Sequence, residues 1–411
     1  MYFNINPINL LRALSLALEL SSGGLSRHHW RTAMIASRIA EQIKLGENER
    51  HKLVHAALLH DIGAASSWSE KHQLRNYENS SLHKHAEAGY GLLKDSKQLG
   101  HLADTVRHHH DYWDGSSPCG LAGKDIPLLG RIIHLADRVE ISIQDGTFIF
   151  TQRPMILSAI EKFSGTYFDP DLVQALRDIS GQESFWLDLV NPYYYQNFFE
   201  QIDAYGLIRF SLDDIINISE IFATIIDRTS RFTAVHSRSV STVAAFMATA
   251  TGFSPDEVKT MRIAGLMHDL GKLVVPNNIL EKAGKLSGQE FYMIKQHTNY
   301  TYRILMQIDG FSTIAEWAAY HHETLDGKGY PFQIKANALS LGSRIVAVAD
   351  VFTALTENRA YQATMPLDKV EKIMRTMVTN HKLDGTLTEQ LFSNSQQSQD
   401  LTQQVIMQGQ D

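Results

Sequence analysis

The sequence predicts an all-α protein built from two tandem helical bundles, and three observations support this prediction. Ser254-Pro255-Asp256-Glu257 combines an N-cap serine, a first-turn proline and a capping-box glutamate, which together are typical of a helix start. Val258, Met261 and Gly265 follow it at helical spacing, whereas alternating runs joined by hairpin turns are absent. The histidines of the first half also recur in the second half in the same order, which indicates a duplicated domain.

The duplication is visible as a nearly constant offset between matching motifs. His29-Trp-Arg31 aligns with His236-Ser-Arg238 at an offset of 207, and His60-Asp-Ile-Gly63 aligns with His268-Asp-Leu-Gly271 at 208. Later motifs keep their order at slightly larger offsets: His85, His109 and His110 match His297, His321 and His322 at 212, and Asp137 matches Asp350 at 213. Small loop insertions inside a repeated domain explain this drift.

The repeat divides the chain into residues 1–205, residues 206–392 and a C-terminal tail, residues 393–411. The connection is expected near 191–208, where several aromatic residues follow Pro192. The tail is rich in glutamine and serine, so we expect it to be disordered.

Composition excludes several classes of protein. Apolar residues make up 44% of the 411, enough for ordinary cores, and no run of about 20 apolar residues could cross a bilayer. The single cysteine, Cys119, excludes an internal disulfide and fits a reducing compartment. The net charge of −7 argues against binding of polymeric nucleic acid, but a small anion remains compatible with it because bound metal ions supply local positive charge.

The second half concentrates side chains that bind metal ions. It holds six histidines from Asp214 onward, and five of them belong to one ordered series with two carboxylates: His236, His268, Asp269, His297, His321, His322 and Asp350. Any one of these histidines could be an ordinary core residue, but buried carboxylates beside paired histidines are costly without a cation. Imidazole and carboxylate suit iron, manganese or zinc, and seven ligands exceed one tetrahedral ion. The series therefore predicts two metal ions that share a carboxylate.

His268-Asp-Leu-Gly-Lys272 and His321-His-Glu-Thr-Leu-Asp-Gly-Lys-Gly-Tyr-Pro331 resemble the motifs of the HD-GYP family of cyclic dinucleotide phosphodiesterases, from about Ser219 to Asp368. The resemblance implies two tandem HD-type bundles. It also implies that Asp269 bridges two divalent ions, iron or manganese in preference, with the identity of the metal left open. One ion would be completed by His236, His268 and Asp350, and the other would be held by His297, His321 and His322. Three-metal relatives have a glutamate where this chain has Phe232, so we expect two ions.

The resemblance also implies a set of substrate-binding residues. Lys272 would contact a phosphate or leaving oxygen and count with Asp269 as catalytic, while Gly327 and Tyr330 would shape the pocket. Arg359 would contact the nucleotide, and Gln362 replaces a basic residue that is common there, which weakens a strict demand for guanine. Glu323 and Asp326 are expected to orient the metal-binding histidines, whereas Lys295 and Arg303 could face either substrate or solvent.

The first half is expected to be a degenerate HD domain with a candidate second metal site. Its ligands would be His29, His60, Asp61, His85, His109, His110 and Asp137. Ala64 stands in place of Lys272, Gly146 stands in place of Arg359, and the Gly-Tyr-Pro motif is missing. The metal ligands are therefore kept while the substrate-binding groups are lost.

The resemblance implies a cytoplasmic bacterial enzyme that opens 3′,3′-cyclic GMP-AMP or cyclic di-GMP to a linear dinucleotide. Two alternatives remain open: a phosphohydrolase for another nucleotide, and a cyclic dinucleotide sensor with little turnover. The expected partner is the small cyclic dinucleotide, without polymeric nucleic acid or membrane insertion. A homodimer or a signalling partner also remains open.

Overall fold

A computed structural model describes residues 2–20, 27–64, 82–202, 208–228, 235–282, 284–357, 365–394 and 400. The chain divides into two compact units, one spanning Asn6–Leu207 and the other combining Met1–Ile5 with Ile208–Asp411. The division after residue 207 lies close to the boundary after residue 205 that the duplication suggests. From residue 395 onward, the described residues include only Asp400, so the predicted disorder of the tail stays a prediction.

The N-terminal unit is helical throughout its described part. In chain order it contains α1 (Pro7–Leu20), α2 (His28–Gln42), α3 (Glu47–Leu59), α4 (Leu82–Leu93), α5 (Ala103–Arg107), α6 (Leu128–Ile141), α7 (Ile149–Lys162), α8 (Pro170–Ser180), α9 (Glu183–Val190) and α10 (Pro192–Ile202). α2 packs against α3 and α6, and these contacts form the centre of the bundle.

The C-terminal unit repeats this arrangement. Its helices are α11 (Leu212–Arg228), α12 (His236–Ala250), α13 (Pro255–Met267), α14 (Asn277–Leu280), α15 (Gly288–Leu305), α16 (Ser312–Ala319), α17 (Leu341–Thr356), α18 (Leu367–Thr379) and α19 (Gly385–Ser393). α12 packs against α13 and α17, as α2 does against α3 and α6. The predicted capping box is present at the start of α13, where the Ser254 hydroxyl accepts the Glu257 backbone N–H. The all-α class is thus confirmed.

One small sheet departs from the all-helical prediction. β1 (Tyr2–Ile5) pairs antiparallel with β2 (Ile208–Ser211), with Tyr2 opposite Ser211 and Ile5 opposite Ile208. Ile5 is fully buried and the Phe3 ring lies 5.6 Å from the Phe311 ring. The first strand therefore belongs to the C-terminal unit, although the sequence suggested that residues 1–205 form one domain.

The glycines of the two His-Asp motifs allow a close approach of backbones. A Cβ atom on Gly271 would lie 1.9 Å from the carbonyl oxygen of His297, and one on Gly63 would lie 2.0 Å from that of His85. Each glycine lies in a 3₁₀ turn, Leu270–Val274 or Ile62–Ala64, that follows the His-Asp pair. The same contact in both units shows how the repeat brings its third histidine to the His-Asp pair.

Among the described residues, no helix is long and apolar enough to cross a membrane.

Candidate metal centre and active site

Three histidines of the C-terminal unit, one within α15 and two just beyond the ends of α13 and α16, have one ring nitrogen already occupied. In each, Nδ1 donates to the backbone carbonyl three residues earlier: His268 to Gly265 (2.8 Å), His297 to Ile294 (2.6 Å) and His321 to Ala318 (2.7 Å). This bond fixes the tautomer and leaves the Nε2 lone pair pointing inward. The backbone thereby prepares three neutral imidazole ligands.

The Asp269 carboxylate lies at the centre of these nitrogens. The four distances are Oδ2 to His268 Nε2 (3.1 Å), Oδ1 to His297 Nε2 (3.5 Å), Oδ1 to His321 Nε2 (3.9 Å) and Oδ2 to His236 Nε2 (4.0 Å). The two carboxylate oxygens therefore face different histidines, as a carboxylate shared by two ions would.

Two ligand groups lie on either side of Asp269. His236, His268 and Asp350 place their ligand atoms within 4.8 Å of one another, and so do His297, His321 and His322. The structure thus brings together all seven residues that the sequence predicts as ligands, divided into the two sets that the resemblance implied.

Unpaired buried atoms test whether metal ions fit this site. His268 Nε2 and Asp269 Oδ1 are buried, and neither makes a hydrogen bond within the described part of the chain. A buried acceptor without a partner costs about 1–3 kcal/mol, and a cation that binds both atoms would remove this cost. The donor set of imidazoles and carboxylates fits divalent ions such as iron, manganese or zinc.

The charges of the site suit cation binding. Burial lowers the pKa of His297 to about 3, so this ring is neutral. Burial acts against ionisation of Asp269, but His268 and Lys272 outweigh it and hold the pKa of this carboxyl well below its usual range. Burial also lowers the pKa of His236, yet hydrogen bonds to Asp350 and Glu357 raise it to about 10. A metal ion at Nε2 would take the place of that proton.

Glu357 is a residue of the site that sequence reasoning missed. Its Oε2 accepts from His236 Nδ1 at 3.0 Å, and its side chain is buried. Glu357 lies seven residues after Asp350, directly beyond the last residue of α17, and both carboxylates reach the same imidazole. A glutamate at the end of the apolar helix that carries a predicted ligand is the signal that could have found it.

Lys272 lies against the bridging carboxylate. Its ammonium is 2.5 Å from Asp269 Oδ2. Burial opposes its charge, but Asp269 raises the pKa of Lys272 above its usual value, so the side chain carries a positive charge at the edge of the metal centre.

The Gly-Tyr-Pro loop closes over the second ligand group. The Tyr330 ring lies 4.9 Å from the His322 ring, and the Tyr330 backbone N–H donates to His322 O at 3.2 Å. Gly327 has a φ of +71°, which favours glycine. The Lys295 ammonium lies 5.0 Å from the Tyr330 ring, which places this side chain beside the loop. Arg303 contacts the Tyr302 ring instead. Arg359, Gln362 and Phe232 lie outside the described residues.

Two predicted orienting residues act on the loop and not on the histidines. Both Glu323 carboxylate oxygens accept backbone N–H groups of residues 332–334, at 2.7 to 3.1 Å. Asp326 accepts from the Thr324 hydroxyl and the Lys328 backbone N–H. The expectation that these two side chains orient histidines is therefore wrong: short loops leave N–H groups unpaired, and the carboxylates satisfy them.

The N-terminal unit builds a matching cluster around Asp61. The contacts are His85 Nε2 to Oδ1 (3.1 Å), His109 Nε2 to Oδ1 (3.7 Å), His60 Nε2 to Oδ2 (3.4 Å) and His28 Nε2 to Oδ2 (3.4 Å). His110 joins this group through His85, with 3.1 Å between their Nε2 atoms. As in the C-terminal unit, Nδ1 of His60 and His109 donates to a carbonyl three residues earlier.

His28 takes the position of His236 in this cluster. Its Nε2 lies 3.3 Å from Asp137 Oδ1, and its Nδ1 contacts Glu140, as His236 contacts Asp350 and Glu357. His29, the predicted ligand, also belongs to the cluster, with Nε2 3.8 Å from Asp61 Oδ2. His236 therefore matches His28, at an offset of 208, better than it matches His29, at 207. The offset of 208 is also that of the His-Asp pair.

The residues that the sequence predicts to bind substrate in the C-terminal unit are replaced by other residue types in the N-terminal unit. Ala64 ends the 3₁₀ turn where Lys272 stands in the other unit, and Gly146 lies in a turn with a φ of +83°. The loop after His110 carries Ser116, Ser117 and Pro118 where the other unit has Gly-Tyr-Pro. This cluster thus has ligands for cations but none of the predicted groups for a nucleotide.

Comparisons with known proteins agree with the fold and the site. Residues 220–387 and 25–142 each match an HD domain model. The chain is 31% identical over 407 residues to 3′3′-cGAMP-specific phosphodiesterase 1 of Vibrio cholerae, covering 95% of this chain and 93% of that protein. It is 39% identical to the cyclic di-GMP phosphodiesterase response regulator RpfG of Xanthomonas campestris over 131 residues, 31% of this chain and 35% of that one.

A solved structure extends the comparison to the whole fold. The cyclic GMP-AMP specific phosphodiesterase V-cGAP3 of V. cholerae superposes with a TM-score of 0.67 at 25% identity, covering 95% of this chain and 97% of that one. The helical bundles and their His-Asp clusters define a tandem HD-domain protein, a class of metal-dependent phosphohydrolases. Within that class, the chain belongs to the HD-GYP family of cyclic dinucleotide phosphodiesterases.

Proposed function

We propose that the C-terminal unit hydrolyses one 3′–5′ phosphodiester bond of a cyclic dinucleotide, 3′,3′-cyclic GMP-AMP or cyclic di-GMP, and releases a linear dinucleotide. The observation that carries this proposal is the Asp269 carboxylate, which lies between two three-residue ligand groups and beside the Lys272 ammonium. A phosphodiester needs both an activated water and positive charge near its oxygens, and this arrangement can provide both.

The ligand set supports two divalent ions, with iron and manganese the leading candidates. When bound, the two ions would acidify a water and neutralise charge on the phosphoryl oxygens. Asp269 would hold both ions at a fixed separation. His236, His268 and Asp350 would bind one, and His297, His321 and His322 the other. The hydrogen bonds to main-chain carbonyls and to Glu357 keep these rings oriented.

Lys272 and the Gly-Tyr-Pro loop would hold the substrate. Lys272 is three residues beyond Asp269, which raises the pKa of its ammonium, so it suits a non-bridging or leaving oxygen. Burial, with Asp350 and Asp269, raises the pKa of Tyr330, so the phenol stays neutral and can donate a hydrogen bond or pack against a base. The positive φ of Gly327 allows the turn that presents this ring.

Substrate preference is proposed to depend on Arg359 and Gln362. A guanidinium can bond the O6 and N7 edge of guanine or a phosphate, whereas an amide offers both a donor and an acceptor and can also serve adenine. Two relatives that match nearly the whole chain are named for 3′3′-cGAMP, which favours the hybrid nucleotide over cyclic di-GMP.

A substrate panel tests the proposed function directly. Purified protein with manganese or iron should release linear products from 3′,3′-cyclic GMP-AMP faster than from cyclic di-GMP, cyclic di-AMP or the 2′,3′ isomer. Arg359→Ala should lower kcat/KM without loss of metal, and Gln362→Arg should shift the ratio toward cyclic di-GMP. Binding without release of a linear product would identify a sensor, and cleavage of other nucleotides alone would identify a different phosphohydrolase.

The N-terminal unit is proposed to take no part in this reaction. Ala64 and Gly146 remove two of the groups that would hold the substrate, while the ligands around Asp61 remain available to cations. A cytoplasmic location and any dimerisation or signalling partner belong to the same proposal, because cyclic dinucleotides of this family act inside the bacterial cell.

A further inference from the structure

A third group of metal-binding side chains lies in the N-terminal unit, outside the Asp61 cluster. His108, Asp111 and Cys119 bring a ring nitrogen, a carboxylate oxygen and a sulfur within 4.8 Å of one another. His108 Nδ1 lies 2.5 Å from Asp111 Oδ2, and Cys119 Sγ lies within 4.8 Å of the ligand atoms of both residues. On the other side, His83 Nδ1 lies 3.6 Å from Asp111 Oδ1. His108, Asp111 and Cys119 thus form one ligand group, and His83 approaches the other oxygen of the same carboxylate.

This donor set is the one that zinc and similar cations prefer. Zinc is bound by imidazole, carboxylate and thiolate at about 2.0–2.3 Å, so ligand atoms at tetrahedral corners lie roughly 3.3–3.6 Å apart. The separation between His83 and Asp111 already matches that spacing. Cys119 is exposed while Asp111 is buried, so an ion can enter from solvent and reach a carboxylate fixed inside the fold.

The loop that carries these residues is held in place without a metal. The Tyr112 ring stacks on the Tyr167 ring at 4.1 Å, and the Trp113 backbone N–H donates to Tyr167 O at 3.2 Å. The Ser117 hydroxyl accepts the Tyr112 backbone N–H at 2.6 Å, which closes the turn that leads to Cys119. A preorganised loop lowers the cost of gathering the ligands.

The catalytic unit does not share this donor set. At the offsets of 212 and 213 that relate the two units here, the corresponding residues are Lys295, Tyr320, Glu323 and Phe332. Glu323 uses its carboxylate to hold the backbone of the Gly-Tyr-Pro loop. In the N-terminal unit, Asp111 instead lies in one ligand group with His108 and Cys119. The donor set therefore belongs to the N-terminal unit and has no equivalent at the matching positions of the C-terminal unit.

We propose that His83, His108, Asp111 and Cys119 form a binding site for a zinc-like divalent cation, separate from both clusters of histidines around Asp61 and Asp269. Binding displaces the thiol proton from Cys119 and turns one ring nitrogen of His108 from Asp111 to the metal. The bound ion ties α4, through His83, to the loop that follows His110. The site thereby gives the N-terminal unit a metal-responsive loop in place of a nucleotide-binding one.

Cobalt substitution in the full-length protein tests this site without interference from the other two clusters. Cys119 is the chain's single cysteine, so a sulfur-to-cobalt charge-transfer band can arise from this position alone. Titration of the metal-free protein with Co²⁺ should produce that band, and added Zn²⁺ should abolish it. Zn²⁺ should also slow alkylation of Cys119.

Variants separate this proposal from the catalytic one. Cys119→Ser and Asp111→Asn should lose the cobalt band while cyclic dinucleotide hydrolysis is unchanged, and Asp269→Ala should keep the band while hydrolysis is lost. His83→Ala and His108→Ala should weaken Co²⁺ binding, so that the charge-transfer band appears only at higher Co²⁺ concentrations. No band in the wild-type protein, or alkylation of Cys119 that Zn²⁺ does not slow, would overturn the site and reduce the four residues to a hydrogen-bonded cluster.

Discussion

Glu357 is the residue through which the position of the first metal ligand can be tested. Its carboxylate holds His236 by the Nδ1 hydrogen bond. Loss of such a supporting bond typically costs about 10–100-fold in metal affinity or activity. We expect Glu357→Gln to lower metal affinity and kcat by that amount while KM changes little, as measured by metal titration and steady-state kinetics.

The N-terminal unit offers a matched control for this variant. Glu140 makes the equivalent contact to His28, so Glu140→Gln should weaken cation binding there and leave hydrolysis unchanged. Equal effects of both variants on kcat would show that Glu357 acts through overall stability and not through His236.

At single positions, the sequence predicted which residues lie together better than it predicted their supporting contacts. The seven candidate ligands of the C-terminal unit could be found because their residue types and order are unusual. His28 was harder to choose, since it adjoins His29 and the offset between the repeats drifts by a few residues. Glu323 was predicted to orient histidines, but its carboxylate accepts backbone N–H groups of residues 332–334 instead. The partner of a carboxylate is a property of three-dimensional packing.

At the level of elements, the 3₁₀ turn after each His-Asp pair depends on its glycine. Because a Cβ atom on Gly271 would overlap the His297 carbonyl, Gly271→Ala should push the His297 backbone away from the His-Asp pair. Overpacking of this kind costs about 1–3 kcal/mol. We expect a lower melting temperature together with reduced hydrolysis, measured by calorimetry and product release.

Gly63→Ala provides the comparison in the other unit, where the Cβ atom would overlap the His85 carbonyl. It should destabilise the N-terminal unit by a similar amount without loss of hydrolysis. If Gly271→Ala keeps full activity, the close contact is not needed for the metal centre.

Helices were predictable from capping and spacing, whereas the sheet was not. The four residues Ser254-Pro-Asp-Glu257 contain the N-cap and the capping box that begin α13, so this helix start could be read from a short segment. β1 and β2 have four residues each, and the chain from residue 6 to 207 lies between them. Strand pairing over such a separation leaves no local pattern in either segment.

For the whole molecule, the two Asp-centred clusters predict separable metal contents. Asp269→Ala should remove the metal of the C-terminal unit and lower hydrolysis by several orders of magnitude, because the carboxylate shared by both ligand groups is lost. Asp61→Ala should remove the metal of the N-terminal unit with hydrolysis retained. Elemental analysis and single-turnover kinetics on both variants check this.

The two possible failures have different meanings. Wild-type turnover by Asp269→Ala would contradict the two-metal proposal for the catalytic unit. Loss of hydrolysis in Asp61→Ala, with the fold intact by circular dichroism, would instead assign the N-terminal cluster a part in the reaction.

The pairing of β1 with β2 has a consequence for how the protein is made and handled. During synthesis β1 leaves the ribosome before β2, and residues 6–207 are made between the two strands. The sheet of the C-terminal unit therefore cannot form until the N-terminal unit has been synthesised. A fragment that begins at residue 206 would lack β1, whose Ile5 is buried and whose Phe3 ring lies against the Phe311 ring. A fluorescent label fused ahead of Tyr2 would report on the C-terminal unit. One proteolytic cut between 203 and 207 would leave the catalytic unit in two pieces, with its first strand still attached to the other unit.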